Sequence, residues 1–192
     1  MPAIQPGQKA PAVSGDSVLY QLKNQTHDIH TELENTLNLL ELKSPAAYQK
    51  LLCSFAALYQ TLEPLVYERP EWQQLQDLQP ERKLPWLETD LGFYGLSLPA
   101  PHFTVQLSGW QEVLGAVYVM EGSTLGGQLI SRHLQTLGIT PETGGRFFSG
   151  YQGRTGARWK QTRQLLESQC TDSDRMVQGA RRTFEFFYRG LA

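Results

Sequence analysis

The sequence predicts an all-α fold in a single domain. Three observations predict it: apolar residues recur at intervals of three and four, alternation at two is never sustained, and 192 residues suit one hydrophobic core. With 17 Lys and Arg against 19 Asp and Glu the net charge is −2, so no basic grip on nucleic acid or on an anionic membrane is expected. The longest apolar run, residues 113–120, falls well short of the ~18 residues that a bilayer span needs. Cys53 and Cys170 belong to no metal-ligand spacing and read as free thiols of a reducing cytoplasm.

Residues 1–15 carry Pro2, Pro6 and Pro11 with no apolar stretch and read as a loose tail, which leaves 16–192 as the helical domain. Leu19, Leu22, Thr26, Ile29, His30, Leu33 and Leu37 form one stripe, which predicts a first helix over 17–39. Ser44-Pro45 is a start signal, and Tyr48, Leu51, Leu52, Phe55, Leu58 and Leu62 carry a second helix to a stop or kink at Pro64. Shorter helices follow over 71–78 and 86–91, and the prolines of 96–103 make that segment a connection. Residues 104–137 read as one long helix ended by Gly138. A glycine-rich connection, 147–156, leads to two last helices over 158–168 and 172–191.

Three groups of residues offer chemistry. His30 sits on the apolar stripe of the first helix and is expected to point inward, either as a core histidine or as a ligand. Glu34, one turn on, can accept a hydrogen bond from one ring nitrogen and orient the other toward a metal; Lys23, seven residues back, shares that face. His27 has mostly polar neighbours and reads as a surface residue. The run from Gly122 through Ser123 to Gly126 and Gly127 places three glycines inside a helix, each about 0.8–1 kcal/mol worse than alanine. That cost is offset either by tight helix packing or by the close approach of a flat ligand, with a bend that frees backbone groups. Arg154, Arg158, Lys160 and Arg163 concentrate cations on one stretch, as a solvated face or as partners for carboxylates, beside the aromatic Phe147, Phe148 and Trp159. A histidine facing exposed backbone across a slot suits an iron porphyrin with one open axial position.

Residues 26–34 (THDIHTELE), 118–128 (YVMEGSTLGGQ), Phe147-Phe148 and Arg158-Trp159-Lys160 resemble the proximal helix, distal helix and C-terminal segment of heme oxygenases. The resemblance spans roughly 17–190 and is nearest to the bacterial, biliverdin-producing type associated with bacteriophytochromes. It implies a heme oxygenase-like helical bundle that opens heme to biliverdin, carbon monoxide and ferrous iron. Heme would be both substrate and cofactor, O2 the oxidant, and an external ferredoxin- or flavin-type reductase the electron donor. By the same resemblance His30 is the axial ligand of the heme iron and Glu34 its hydrogen-bond partner. Gly122, Ser123, Gly126 and Gly127 are the distal wall, with Phe148 beside the ring. Lys23, Tyr118 and Lys160, with Arg154 or Arg158, would hold the propionates. Animal-type enzymes carry aspartate where Ser123 stands, so distal water must be ordered differently here. A heme carrier or sensor on the same scaffold is the alternative. A carboxylate-bridged di-iron site is disfavoured, because no histidine has Glu three residues before it.

Overall fold

A computed structural model describes residues 17–192; the tail expected over 1–15 lies outside them. Seven α-helices and no strand make up the described residues: α1 (Val18–Gln25), α2 (His27–Leu37), α3 (Pro45–Tyr67), α4 (Leu84–Phe93), α5 (Trp110–Thr136), α6 (Thr155–Gln169) and α7 (Ser173–Leu191). The all-α expectation is met.

The helix starts follow their sequence signals. Ser44 caps α3 by accepting the Ala47 amide hydrogen at 3.2 Å, and Asp172 caps α7 by accepting that of Arg175 at 3.0 Å. Gly138, at φ +76°, takes the left-handed position that ends α5. Pro64 lies inside α3 without stopping it, and the helix continues to Tyr67.

Other boundaries differ. The single helix expected over 17–39 is two, because Thr26 leaves helical geometry (φ −115°, ψ 0°) and turns its hydroxyl back onto the Leu22 carbonyl at 2.7 Å. The helix expected over 71–78 is a pair of 3-10 turns, Pro70–Gln74 and Gln76–Leu78. There Trp72 is buried edge-on to Trp110 and donates its indole N–H to the Val66 carbonyl at 2.7 Å, which holds the chain in a tight turn. The long helix begins at Trp110 rather than 104, since Gly109 at φ +89° breaks the approach. Glu112, in the first turn, accepts the Ser108 amide hydrogen at 2.9 Å and closes that start as a capping box would.

Helix α7 is the hub, packing against α1, α2, α3 and α5. Its crossing with α5 is so close that backbones touch. A Cβ at Gly115 would stand 2.0 Å from the Met176 carbonyl oxygen, and one at Gly179 would stand 2.1 Å from that of Glu112. Below the glycine run of α5 lies a buried ionic cluster. The Lys83 ammonium, 1% exposed, donates to Glu121, to the Glu81 carbonyl at 2.7 Å and to the Tyr151 hydroxyl at 2.9 Å. Buried Glu63 accepts the Lys83 and Leu84 amide hydrogens and so caps α4, which has no capping side chain of its own. Asp90 holds the 146–148 turn by accepting the amide hydrogens of Arg146 and Phe147 at 2.7 and 2.8 Å.

Two outcomes follow from this packing. Gly115→Ala or Gly179→Ala drives a methyl into backbone and should cost about 3 kcal/mol or more in a thermal melt of the ligand-free protein; an unchanged melt contradicts the close crossing. Burial pushes the Asp90 carboxyl from 3.8 up to about 6, so the folded state holds its proton more tightly than the unfolded chain. Its stabilising contribution is full below the unfolded value and is lost as pH rises through the folded one. From about pH 4 to about pH 7 the unfolding free energy of the parent should therefore fall relative to Asp90→Asn by up to ~3 kcal/mol.

Candidate active site

His30 stands on α2 at the edge of the core, its side chain 48% exposed, where the sequence expected it inward. One ring face rests on Phe184 of α7 at 5.1 Å between centroids, and the other side is open. Its Nε2 is 3.2 Å from Glu34 Oε1, the pairing the i, i+4 spacing predicts, which leaves the second nitrogen available. No backbone carbonyl satisfies this ring among the described residues, so it is not the core histidine of the blander reading. His27 is exposed, as expected.

Helix α5 runs unbroken through its glycines, and the three divide between the two expected purposes. Gly126 is exposed, and a Cβ there would meet nothing within 4 Å. Gly122 is half-buried beneath the Trp159 ring, whose atoms lie 3.7–3.8 Å from the position of a Cβ. Gly127, expected on the distal wall, is buried instead against the Phe148 carbonyl oxygen, 3.0 Å from a Cβ. It is a packing glycine. Phe148, expected beside the ligand, is likewise a core residue, with its ring 6.0 Å from Tyr48 and 5.6 Å from Phe55.

Ser123 is exposed and spends its hydroxyl hydrogen on the Met120 carbonyl at 2.9 Å, which leaves its oxygen as an acceptor. Tyr59 is buried on α3, and burial beside Glu63 raises its hydroxyl's pKa well beyond the usual range, so it keeps its proton. Sequence reasoning missed Tyr59 and Phe184 because both sit on apolar stripes that read as plain core. The one available signal was Glu63, a carboxylate four residues after Tyr59 in an otherwise apolar run.

The expected propionate anchors divide as well. Tyr118 is half-buried, with its ring 5.8 Å from Trp159. Lys23 and Lys160 are exposed and form no ion pair among the described residues, on helices α1 and α6 that pack together. Arg154 and Arg158 are drawn to the segment before α4. Arg154 lies 3.4 Å from Glu81, while Arg158 donates to the Gln79 carbonyl at 3.3 Å and stacks over Tyr151 at 5.0 Å. They serve there as clamps on the chain itself.

Helices α2 and α5 both pack on α7, yet hardly touch one another among the described residues. Both helices are thus carried by the same third one, α2 with the His30 imidazole against Phe184 and α5 with the exposed, bare backbone of Gly126. The donor set fits a flat, dianionic iron ligand: one imidazole nitrogen free of a partner, aromatic contact from Phe184, bare backbone at Gly126, and two ammonium groups without an ion pair among the described residues. Alanine scanning separates packing glycines from wall glycines. Gly126→Ala should hold or raise the melting temperature of the ligand-free protein, whereas Gly127→Ala should lower it by about 1–3 kcal/mol in stability. The reverse order contradicts the division.

No curated protein matches the chain. A solved structure, the NO- and CO-bound heme oxygenase from Neisseria meningitidis, is similar to it with a TM-score of 0.79 at 21% identity, over 92% of this chain and 90% of that one. The family model described as Heme oxygenase matches residues 16–100 and 102–191. With nearly the whole chain matched, it belongs to the heme oxygenase family, an enzyme whose reaction is the degradation of heme to biliverdin, carbon monoxide and iron.

Proposed function

We propose that heme is opened between α2 and α5, with His30 as the axial ligand of its iron, and that it serves there as cofactor as well as substrate. The observation that carries this reading is the pairing of a half-exposed, Glu34-bound imidazole with the open backbone at Gly126 on two helices mounted on the same third one. Bound heme supplies the iron at which oxygen is reduced and the ring that is consumed. The protein supplies position and protons. Glu34 accepts the imidazole N–H, which fixes the ring's orientation and directs the other nitrogen to the iron. Gly126 brings backbone rather than side chain to the distal face, which would leave room for O2 there, while Gly122 seats the Trp159 ring.

Where animal-type enzymes carry an aspartate, Ser123 takes its place in ordering distal water: its hydroxyl hydrogen is held by the Met120 carbonyl, so its oxygen accepts from the water. Lys23 and Lys160 hold the propionates, with Tyr118 between them. Electrons come from an external ferredoxin- or flavin-type donor, the bilin is passed to a bacteriophytochrome, and the compartment is the cytoplasm. Among the described residues no helix is long and apolar enough to cross a membrane.

A hemin titration followed by ascorbate or a ferredoxin-type reductant tests the reading: the Soret band should decay with appearance of a bilin, and a stable ferrous spectrum would instead indicate a carrier. His30→Ala should lose the axial-histidine spectrum and nearly all turnover while His27→Ala keeps both; the opposite pattern sinks the assignment. Replacing Lys23 and Lys160 together by Ala removes charge-assisted hydrogen bonds of about 1.5–3 kcal/mol each. Heme should then bind more weakly and yield mixed biliverdin isomers, whereas unchanged affinity and isomer pattern would assign the anchoring to other groups.

A further inference from the structure

Helix α7 contributes more than a floor to the proposed heme site. Arg181 reaches from it to the junction of α1 and α2, where its two terminal nitrogens fork onto the Asp28 carboxylate at 2.8 and 2.9 Å, and one of them also donates to the Gln25 carbonyl. Gln25 is the last residue of α1 and Asp28 lies in the first turn of α2, so a single guanidinium ties both sides of the break at Thr26. One turn along the same face of α7, Phe184 supports the His30 ring.

We propose that the Arg181–Asp28 fork is the mount of the proximal helix: together with Phe184 it fixes the angle at the Thr26 break and thereby where the His30 imidazole stands. Arg181 is a positioning residue. The proposal rests on His30 being the axial ligand. Its energetics favour geometry over stability, because both partners are partly exposed, 37% and 66%, and an exposed ion pair adds little to folding even in a bidentate arrangement. What the fork adds is orientation, since a planar guanidinium meets a carboxylate in one plane and, through the Gln25 carbonyl, in one register. A lysine at 181 could make one of these bonds but not all three.

The test combines the ligand-free protein with its hemin complex for the parent, Arg181→Gln, Arg181→Lys and His30→Ala. The ligand-free Arg181→Gln protein should melt within about 3 °C of the parent. In it the amides around Ile29 and His30 should exchange with solvent several-fold faster. Its hemin complex should release hemin to an excess of apomyoglobin about 10-fold faster, and its ferrous iron–histidine stretching band in resonance Raman should shift or broaden. Arg181→Lys should fall between parent and Arg181→Gln on both heme readouts. An Arg181→Gln protein with parental hemin release and a parental band, when His30→Ala abolishes that band, refutes the mount alone. A parental band that survives His30→Ala refutes the axial assignment and the mount with it. A fall of more than about 10 °C in the Arg181→Gln melt shows a contact needed to hold the fold and also overturns the proposal.

Discussion

The contact on which the other arrangements depend is the crossing of α5 and α7, where the absence of side chains at Gly115 and Gly179 lets one backbone lie on another. Two helices that approach this closely have little freedom of angle or register, because every neighbouring side chain must interdigitate around a fixed point. Since α1, α2 and α3 also rest on α7, the position of the whole proximal side relative to α5 is set through one helix. In the proposed reading heme lies between α2 and α5, the two helices that this shared mounting positions. A glycine costs conformational entropy wherever it sits in a helix, and here the return is a backbone-to-backbone crossing that larger residues could not make.

The buried ions beneath α5 act in the same sense. Lys83, Glu121 and Tyr151 join the start of α4, the middle of α5 and the turn before α6, and Glu121 directly precedes Gly122. Such a pair brings little net stability, because the cost of desolvating both charges opposes their attraction; losing one partner, however, leaves a bare charge in the core. It therefore specifies register. The glycine segment cannot slide along its axis without breaking the Glu121 contacts to Lys83 and Tyr151, so Gly122 and Ser123 are held in one register.

Much of this was legible in the sequence, for identifiable reasons. The helix starts at Ser44-Pro45 and Asp172 and the stop at Gly138 are local chemistry, readable without knowledge of the fold. The His30–Glu34 pair is also local, a spacing of four on one helix face. What could not be read depends on contacts between distant segments. The break at Thr26 arises from a side-chain hydrogen bond that competes with the helix, in a stripe whose apolar period continues across it. Gly126 and Gly127 are adjacent and chemically identical, and only the position of the Phe148 carbonyl leaves one bare and makes the other a packing point. Arg154 and Arg158 share a cationic run with Lys160, but a short reach to Gln79 and Glu81 commits them to the fold. Arg181 gave no signal, because its partners lie more than 150 residues away in the chain.

The central claim is that one heme fits between α2 and α5 because both are held by α7 and kept apart. A crystal structure of the hemin complex measures this directly. The account predicts iron bonded to His30, the macrocycle edge against Phe184, and the Gly126 backbone in van der Waals contact with the distal face. Iron bound by any other residue, or a porphyrin seated away from α5, would contradict it.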